Sequence, residues 1–457
     1  MATLRQAARG IASVISQRVS APSASTVRVQ PILRQPAICV RIEESQRSFM
    51  NSTRPLAAAK VQKTVKKKAT SFKKKAPGQK GSEASSSSVG KQNEQFYKAA
   101  PTVELSEFYP ESVDTSSIGH VYQLSENFLS KLKQTGYPKA LDKEFSLFHK
   151  PSLAVRKCTI ELISKINKAG GNNSAESRYI LTGEVGAGKS ALMLQAINYC
   201  HDKNWIVIYI PRAIKSMDSS QPFGKSSTGN EYVQPTVALS ILQQIKTFNS
   251  EILNKIQLTK DYRFAQHSVE KSLPLSKLLD IGIKDQQVSQ PVFEAFLNEV
   301  SQSNDHSVLL AIDEINAFYT HSEYNDIESK PLEAYRLSFA RTLLDYFSGK
   351  KSFAHGVCLG AVSNTLAPFK SEMLDIALGL VKIDPYKRVN QAYLDLAQGI
   401  KPIAIPAYSR EEALGVMAYY SKAHIVHHEP TEDIFNQKFL ATSGNPRKFY
   451  TSCAMGV

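Results

Sequence analysis

Eight consecutive residues constrain this chain more than any other feature. Gly183-Glu184-Val185-Gly186-Ala187-Gly188-Lys189-Ser190 fits the pattern G-x-x-x-x-G-K-[ST] at every fixed position. Glycines at this spacing let the backbone curl, so that successive N–H groups point inward and make a nest for phosphate oxygens. A helix starting where the loop ends adds its positive end to the same anion site. The ammonium of Lys189 is then expected at the β and γ phosphates, and the Ser190 hydroxyl on Mg²⁺. Ala191, which follows, belongs to the same expected nucleotide contact. The flanks agree with a strand–loop–helix–strand unit. Residues 178–181 read as a short strand, and 190–200 as a helix with Leu192, Ala196 and Tyr199 on one face. Residues 205–210 read as a second, buried strand.

The second half of such a site is an apolar strand ending in acid. Val308-Leu309-Leu310-Ala311-Ile312-Asp313-Glu314 has that form. Asp313 at the carboxyl end of the strand is placed to hold Mg²⁺ through water, and Glu314 is a candidate to orient an attacking water. A third strand over 357–362 runs into Ser363 and Asn364. Polar residues at strand carboxyl ends line the ligand crevice of parallel α/β sheets. Both are therefore candidates to sense the γ phosphate, with capping of the next helix as the alternative. Residues 403–405 read as a further short strand. Ser409 and Glu412 then form a capping box before a helix over 411–420. Gly444-Asn445-Pro446-Arg447 reads as a turn that starts another helix, with Arg447 either aimed back at the nucleotide or an ordinary surface residue.

Charge divides the 457 residues. Residues 1–100 hold eight Arg and eleven Lys against four Glu, which accounts for the whole net charge of +15; the remainder is neutral. Before Glu43 the arm carries Arg5, Arg9, Arg18, Arg28, Arg34 and Arg41 among Ser and Ala, with Leu4, Ala8, Ile11 and Ile15 at helical spacing. That is the composition of a mitochondrial transit peptide, expected over 1–56 with cuts after Phe49 and then Leu56. From Lys60 to Lys80 there are nine lysines and no acid. With Ser85 to Ser88, this makes 57–100 a basic arm expected to be disordered alone, either neutralising RNA phosphates without reading sequence or serving only as a solvated linker. The five cysteines form no CxxC pair or metal knuckle, as expected of buried thiols in a reducing compartment. No apolar run is long enough for a membrane span.

These residues, in this order, resemble the death-associated protein three family of mitochondrial small-ribosomal-subunit proteins, over roughly 101–457. The resemblance rests on His149-Lys150-Pro151 with Arg156, the loop ending Gly188-Lys189-Ser190, Trp205 to Ala213, and Gln234-Pro235 opening a helix. It rests also on Ile312 to Ala317, Gly360 to Thr365, and Gly444 to Arg447. It implies an α/β fold: a P-loop NTPase with an AAA/STAND-like parallel sheet core (101–400) and a C-terminal helical lid (401–457). It implies residence in the mitochondrial matrix, on the small ribosomal subunit, among ribosomal RNA and other small-subunit proteins. It implies bound ATP or GTP with Mg²⁺, in a largely structural role with slow or no hydrolysis. Base identity is not legible: no N/T-K-x-D box is present, and Thr259-Lys260-Asp261 lacks the spacer.

Lys189 and Asp313 lie 124 residues apart, so an insertion is expected at about 213–300. Within it, 219–230 is turn-rich, and a helix follows with Ala238, Ile241, Leu242 and Ile245 on one face. This insertion offers a partner-binding surface. Two functional classes remain in play: a ribosomal structural protein with nucleotide as a folding element, and a mitochondrial AAA/STAND-type signalling ATPase or GTPase switch. A nucleic-acid loader like the replication initiators ranks behind both.

Overall fold

The computed structural model describes residues 103–455, apart from 110–112, 146–147, 149, 227–230, 265 and 427–429. The expected transit peptide, the lysine arm and Cys39 lie outside the described residues.

Five parallel strands form the central sheet: β1 (Arg178–Thr182), β2 (Ile206–Ile210), β3 (Val308–Asp313), β4 (Gly356–Ala361) and β5 (Lys401–Ala404). Their order across the sheet is β5-β1-β4-β3-β2. Every strand expected from the sequence is present, with ends displaced by one or two residues, the usual uncertainty of a boundary. Strands β2, β3 and β4 are buried from end to end, which is why they read as continuous apolar runs and not as an alternation.

Helices cover both faces. They are α1 (Glu126–Thr135), α2 (Lys157–Ala169), α3 (Lys189–Asp202), α4 (Pro235–Phe248), α5 (Leu275–Lys284), α6 (Ser289–Gln302) and α7 (Ser338–Ser348). Successive strand residues point to opposite faces, and the two cores divide accordingly. Leu181, Val207, Leu309 and Leu359 pack with Phe128 and Leu132 of α1, Leu162 and Ile166 of α2, and Leu192, Ala196 and Ile197 of α3. Ile180, Ile208, Leu310 and Cys358 pack with Leu242 of α4, Leu278 of α5, Phe293 and Phe296 of α6, and Phe339 of α7. The stripe Ala238, Ile241, Leu242 and Ile245 is thus buried in this second core. The chain between β2 and β3 spends its apolar face on the sheet.

A third cluster is built by α8 (Arg410–Lys422), α9 (Glu432–Thr442) and α10 (Pro446–Met455), around Val416, Met417, Tyr420, Phe435 and Phe449. The expected capping box opens α8: Ser409 Oγ accepts from Glu412 N at 3.2 Å, and Glu412 Oε2 accepts from Ser409 N at 3.1 Å. Cys158, Cys200, Cys358 and Cys453 are buried free thiols. Among the described residues, no helix is long and apolar enough to cross a membrane.

Register places the site. Ala361 of β4 lies beside Asp313 of β3 on one side and Leu181 of β1 on the other. The chain leaving β1, β3 and β4 therefore emerges side by side at one edge of the sheet, where open α/β sheets bind their ligands.

Candidate functional site

The loop that leaves β1 needs its glycines. Gly183 has φ +140°, and a Cβ there would sit 2.7 Å from the Ile405 carbonyl oxygen. Gly186 has φ +86°, and a Cβ there would sit 2.7 Å from Arg447 Cβ and 2.8 Å from Asn445 Oδ1. Only a residue without a side chain allows the backbone this close to the third cluster. Gly188, also left-handed, caps α3 at its amino end.

Three consecutive loop carbonyls are held from outside the loop. Asn445 Nδ2 donates to Val185 O at 3.1 Å, Arg447 N to Gly186 O at 3.2 Å, and Arg156 Nη1 to Ala187 O at 2.9 Å. With these carbonyls tied down, the backbone N–H groups of Gly186, Gly188, Lys189 and Ser190 find no acceptor among the described residues. An uncovered row of N–H groups at a helix start is an anion-binding arrangement. Lys189 is nearly excluded from solvent, and its Nζ donates to Gly183 O at 2.9 Å and Glu184 O at 2.7 Å. Burial lowers the Lys189 pKa, against the opposing pull of Asp313 and Glu184.

Asp313 ends β3 and is 3% exposed. It takes hydrogen bonds from the Ser190 hydroxyl and from Glu314 N, the latter at 2.9 Å. Burial nevertheless raises its pKa to about 6. Glu314 follows with φ +61°, a left-handed conformation that is uncommon outside glycine and worth noting at a site. Burial, then the charge of Asp313, raises its pKa to about 7, with Arg212 and Lys215 among the groups opposing. Its Oε2 is buried without a hydrogen-bond partner. Two carboxyls are thus held out of water beside one lysine, an arrangement that a bound cation would relieve. Among the described residues, no group of three or more His, Cys, Asp or Glu is placed to hold a metal ion.

Ser363 and Asn364 leave β4 at the same edge, next to the acidic pair. Asn316 fixes Ser363: its Nδ2 donates to Ser363 O at 2.9 Å and Phe369 O at 2.7 Å, and its Oδ1 accepts from Ser363 N at 2.8 Å. Neither residue caps the next helical turn, whose capping position is Leu366. The start of the C-terminal helices is fastened by Arg156, which donates to Glu412 Oε2 (3.1 Å), Pro406 O (2.7 Å) and Ala407 O (3.0 Å), and lies over the Tyr408 ring.

One cavity of about 520 Å³ collects these groups. Val185, Gly186, Gly188, Lys189, Ser190, Ala191, Asp313, Glu314, Ser363, Asn364 and Arg447 all line it; Gly183, Glu184 and Ala187 shape the loop from behind. Sequence reading missed four contributors. Glu412 was legible as a helix cap, but its second contact, Oε1 accepting Lys157 N at 2.9 Å, is tertiary. Asn445 was visible only as part of a turn, and Arg156 only as part of a resemblance. Asn316 gave no signal, since an asparagine three residues past an acidic strand end has no spacing rule.

Fold and site together define a parallel α/β protein, compatible with a P-loop-like core, with its candidate site at the carboxyl edge of the sheet. Residues 153–452 match the family model described as mitochondrial ribosomal death-associated protein 3. The chain belongs to that family. It is 28% identical over 357 residues to small ribosomal subunit protein mS29 of Schizosaccharomyces pombe, covering 77% of this chain and 74% of that one. It is 24% identical over 344 residues to the protein of the same name in Bos taurus, covering 74% and 84%. The corresponding Neurospora crassa protein is 22% identical over 345 residues, 72% of each chain.

Proposed function

We propose that this chain is a structural component of the small subunit of the mitochondrial ribosome, held in shape by a purine nucleoside triphosphate and Mg²⁺. The ribosomal part rests on the family: the chain is a protein of the mitochondrial ribosome, in the matrix. On this reading it works among ribosomal RNA and other small-subunit proteins. The arm from Lys60 to Lys80 lies outside the described residues and is proposed, from its charge alone, to contact RNA phosphates.

The nucleotide part is carried by one observation. Val185, Gly186 and Ala187 have their carbonyls bonded by Asn445, Arg447 and Arg156, so the lid and the loop are organised around the same cavity. A ligand on the loop would strengthen that junction, and a ligand bound only by the folded state stabilises it by mass action. The five-stranded parallel sheet, the loop between its first strand and α3, and the C-terminal helices are read here as an AAA/STAND-like P-loop NTPase core with a helical lid. Ser190 and Asp313 would hold Mg²⁺, which when bound would neutralise phosphate charge. ATP and GTP both fit this account.

The test is sedimentation of mitochondrial lysate through a high-salt sucrose gradient, with wild type and Lys189→Ala. Wild type should travel with the small subunit, and the variant should be depleted from it. Wild type migrating as a free protein would sink the structural reading.

Glu314 favours a second reading, a signalling ATPase or GTPase switch. Its unpartnered Oε2 and raised pKa suit a group that orients or accepts a proton from water. That reading requires steady turnover by the purified chain, lost in Glu314→Gln while binding persists.

A further inference from the structure

Away from the cavity, most large apolar side chains left in water are scattered singly, which is ordinary for a protein surface. One group is not scattered. Leu380, Val381, Ile383 and Tyr386 fall within seven residues and are 52%, 45%, 58% and 97% exposed. They lie between two short helices, Glu372–Ala377 and Gln391–Leu396, whose Leu374, Tyr393 and Leu396 are buried in the second core. The segment is shaped by its own bonds. Leu380 N donates to Asp375 O at 2.9 Å. Asp384 accepts from Tyr386 N through its side chain at 3.0 Å and from Lys387 N through its carbonyl at 3.2 Å. Asp384-Pro385-Tyr386-Lys387 thus closes as a β-turn, with aspartate first and proline second as such turns prefer. Lys387 Nζ reaches back to Glu372 Oε1 at 2.6 Å. Tyr386 therefore stands at the tip of a turn tied to the helix before it. Lys382 and Arg388 are exposed and make no hydrogen bond or ion pair among the described residues.

We propose that the segment from Leu380 to Arg388 is a docking knob, seated in an apolar pocket with an acidic rim on another protein of the small subunit. The inference rests on the ribosomal reading above and adds a place where the chain grips a protein neighbour. A contiguous apolar patch on a soluble surface marks a contact, and the centres of protein interfaces are rich in apolar and aromatic side chains with arginine nearby. A turn already closed before binding loses little freedom on docking. The two charges left without partners, Lys382 and Arg388, are both positive, so the matching rim is acidic. RNA is the weaker fit. Bases stack on aromatic or guanidinium planes, whereas three of the four apolar side chains here are aliphatic. From Lys370 to Arg388 four basic residues stand against three acidic ones, too even a balance for a phosphate-binding stripe.

Hydroxyl-radical footprinting of the wild-type full chain, free and within purified small subunits, tests this first. Oxidation of Tyr386 should be fast in the free chain and about tenfold slower in the subunit. Equal rates overturn the docking role and leave the ribosomal reading standing, and need no variant to fold. Competition with wild type for the subunit then gives the class of partner. The double variant Leu380→Ser, Ile383→Ser should be outcompeted about tenfold, at low and high salt alike. Tyr386→Ala, at a side chain almost wholly in water, gives the same readout should the double variant melt early. The double variant Lys382→Gln, Arg388→Gln should lose less, and only at low salt. Apolar variants that compete as well as wild type overturn the proposal. A dominant loss in the basic pair, with a steep salt slope, places the segment on RNA and also overturns it. Wild type absent from the subunit overturns both this inference and the ribosomal reading.

Discussion

Arg156 and Glu412 are 256 residues apart in sequence, and their side chains meet at 3.1 Å, Nε to Oε2, with almost no exposure to solvent. The pair joins the amino end of α2 to the amino end of α8, and the rest of the guanidinium reaches Ala187 O in the loop. Glu412 also accepts from Lys157 N and Ser409 N, so its charge is shared among three donors. Removing one partner of a buried pair leaves the other charged and dry. We expect Arg156→Ala to cost about 3–5 kcal/mol of stability, because it strands Glu412 and three carbonyls at once. Denaturant unfolding of both proteins measures it, and a loss below about 1 kcal/mol would mean the pair is loosely solvated.

Gly186 sets a second expectation. Its φ of +86° is unfavourable for any residue with a Cβ, and that Cβ would collide with Arg447 Cβ and Asn445 Oδ1. Arg447 Cβ is fixed to the helix backbone, and Asn445 Oδ1, although a side-chain end, belongs to an amide bonded to Val185 O and Lys448 N, so the start of α10 must move. Gly186→Ala should therefore destabilise the protein by about 1–3 kcal/mol and raise protease cleavage in the lid. A variant with wild-type stability and an uncut lid contradicts the close packing of loop and lid.

Stability should fall as pH rises from about 4 to 8. The folded-state pKa values of Asp313 and Glu314, about 6 and about 7, exceed the ordinary carboxylate values of 3.8 and 4.5. Between those limits the folded chain binds more protons than the unfolded one, so the slope of unfolding free energy against pH is negative there. The penalty is absent below about pH 4 and complete above about pH 8, and each carboxyl contributes at most about 3 kcal/mol. The check is the difference between two proteins: Asp313→Asn should show a flatter decline than wild type over this range. Parallel curves would place Asp313 in contact with water.

The site divides cleanly by what one sequence can carry. Lys189, Ser190 and Asp313 were legible because local spacing alone fixes them, within a loop or at the end of one apolar strand. The five strands were legible because buried parallel strands leave unbroken apolar runs. Strand order was not, since the insertion of β4 between β1 and β3 depends on crossovers that no local pattern records. Arg156, Asn316 and Asn445 were not legible as site residues for the same reason: each acts on backbone more than 30 residues away in the chain. The residues 213–300 were expected as an insertion offering a partner-binding surface; the apolar stripe of its helix α4 is buried in the core on one face of the sheet.

Lys189 gives the most direct test of what the cavity holds. Its ammonium is buried against the carbonyls of Gly183 and Glu184, which are weaker partners than phosphate oxygens would be. In wild type, a nucleoside triphosphate with Mg²⁺ at a thousandfold excess over its dissociation constant should add about 4 kcal/mol, visible as a rise in melting temperature. Lys189→Met keeps most of the side-chain volume and removes the charge. Because burial already lowers the lysine pKa, the unliganded variant should be about as stable as wild type or slightly more so. The nucleotide-dependent rise should vanish. The two effects separate folding from binding: a variant that melts early without nucleotide reports a structural lysine, whereas one that melts normally and ignores nucleotide reports a phosphate ligand. A full thermal shift retained in Lys189→Met would mean that the triphosphate, if bound, sits elsewhere.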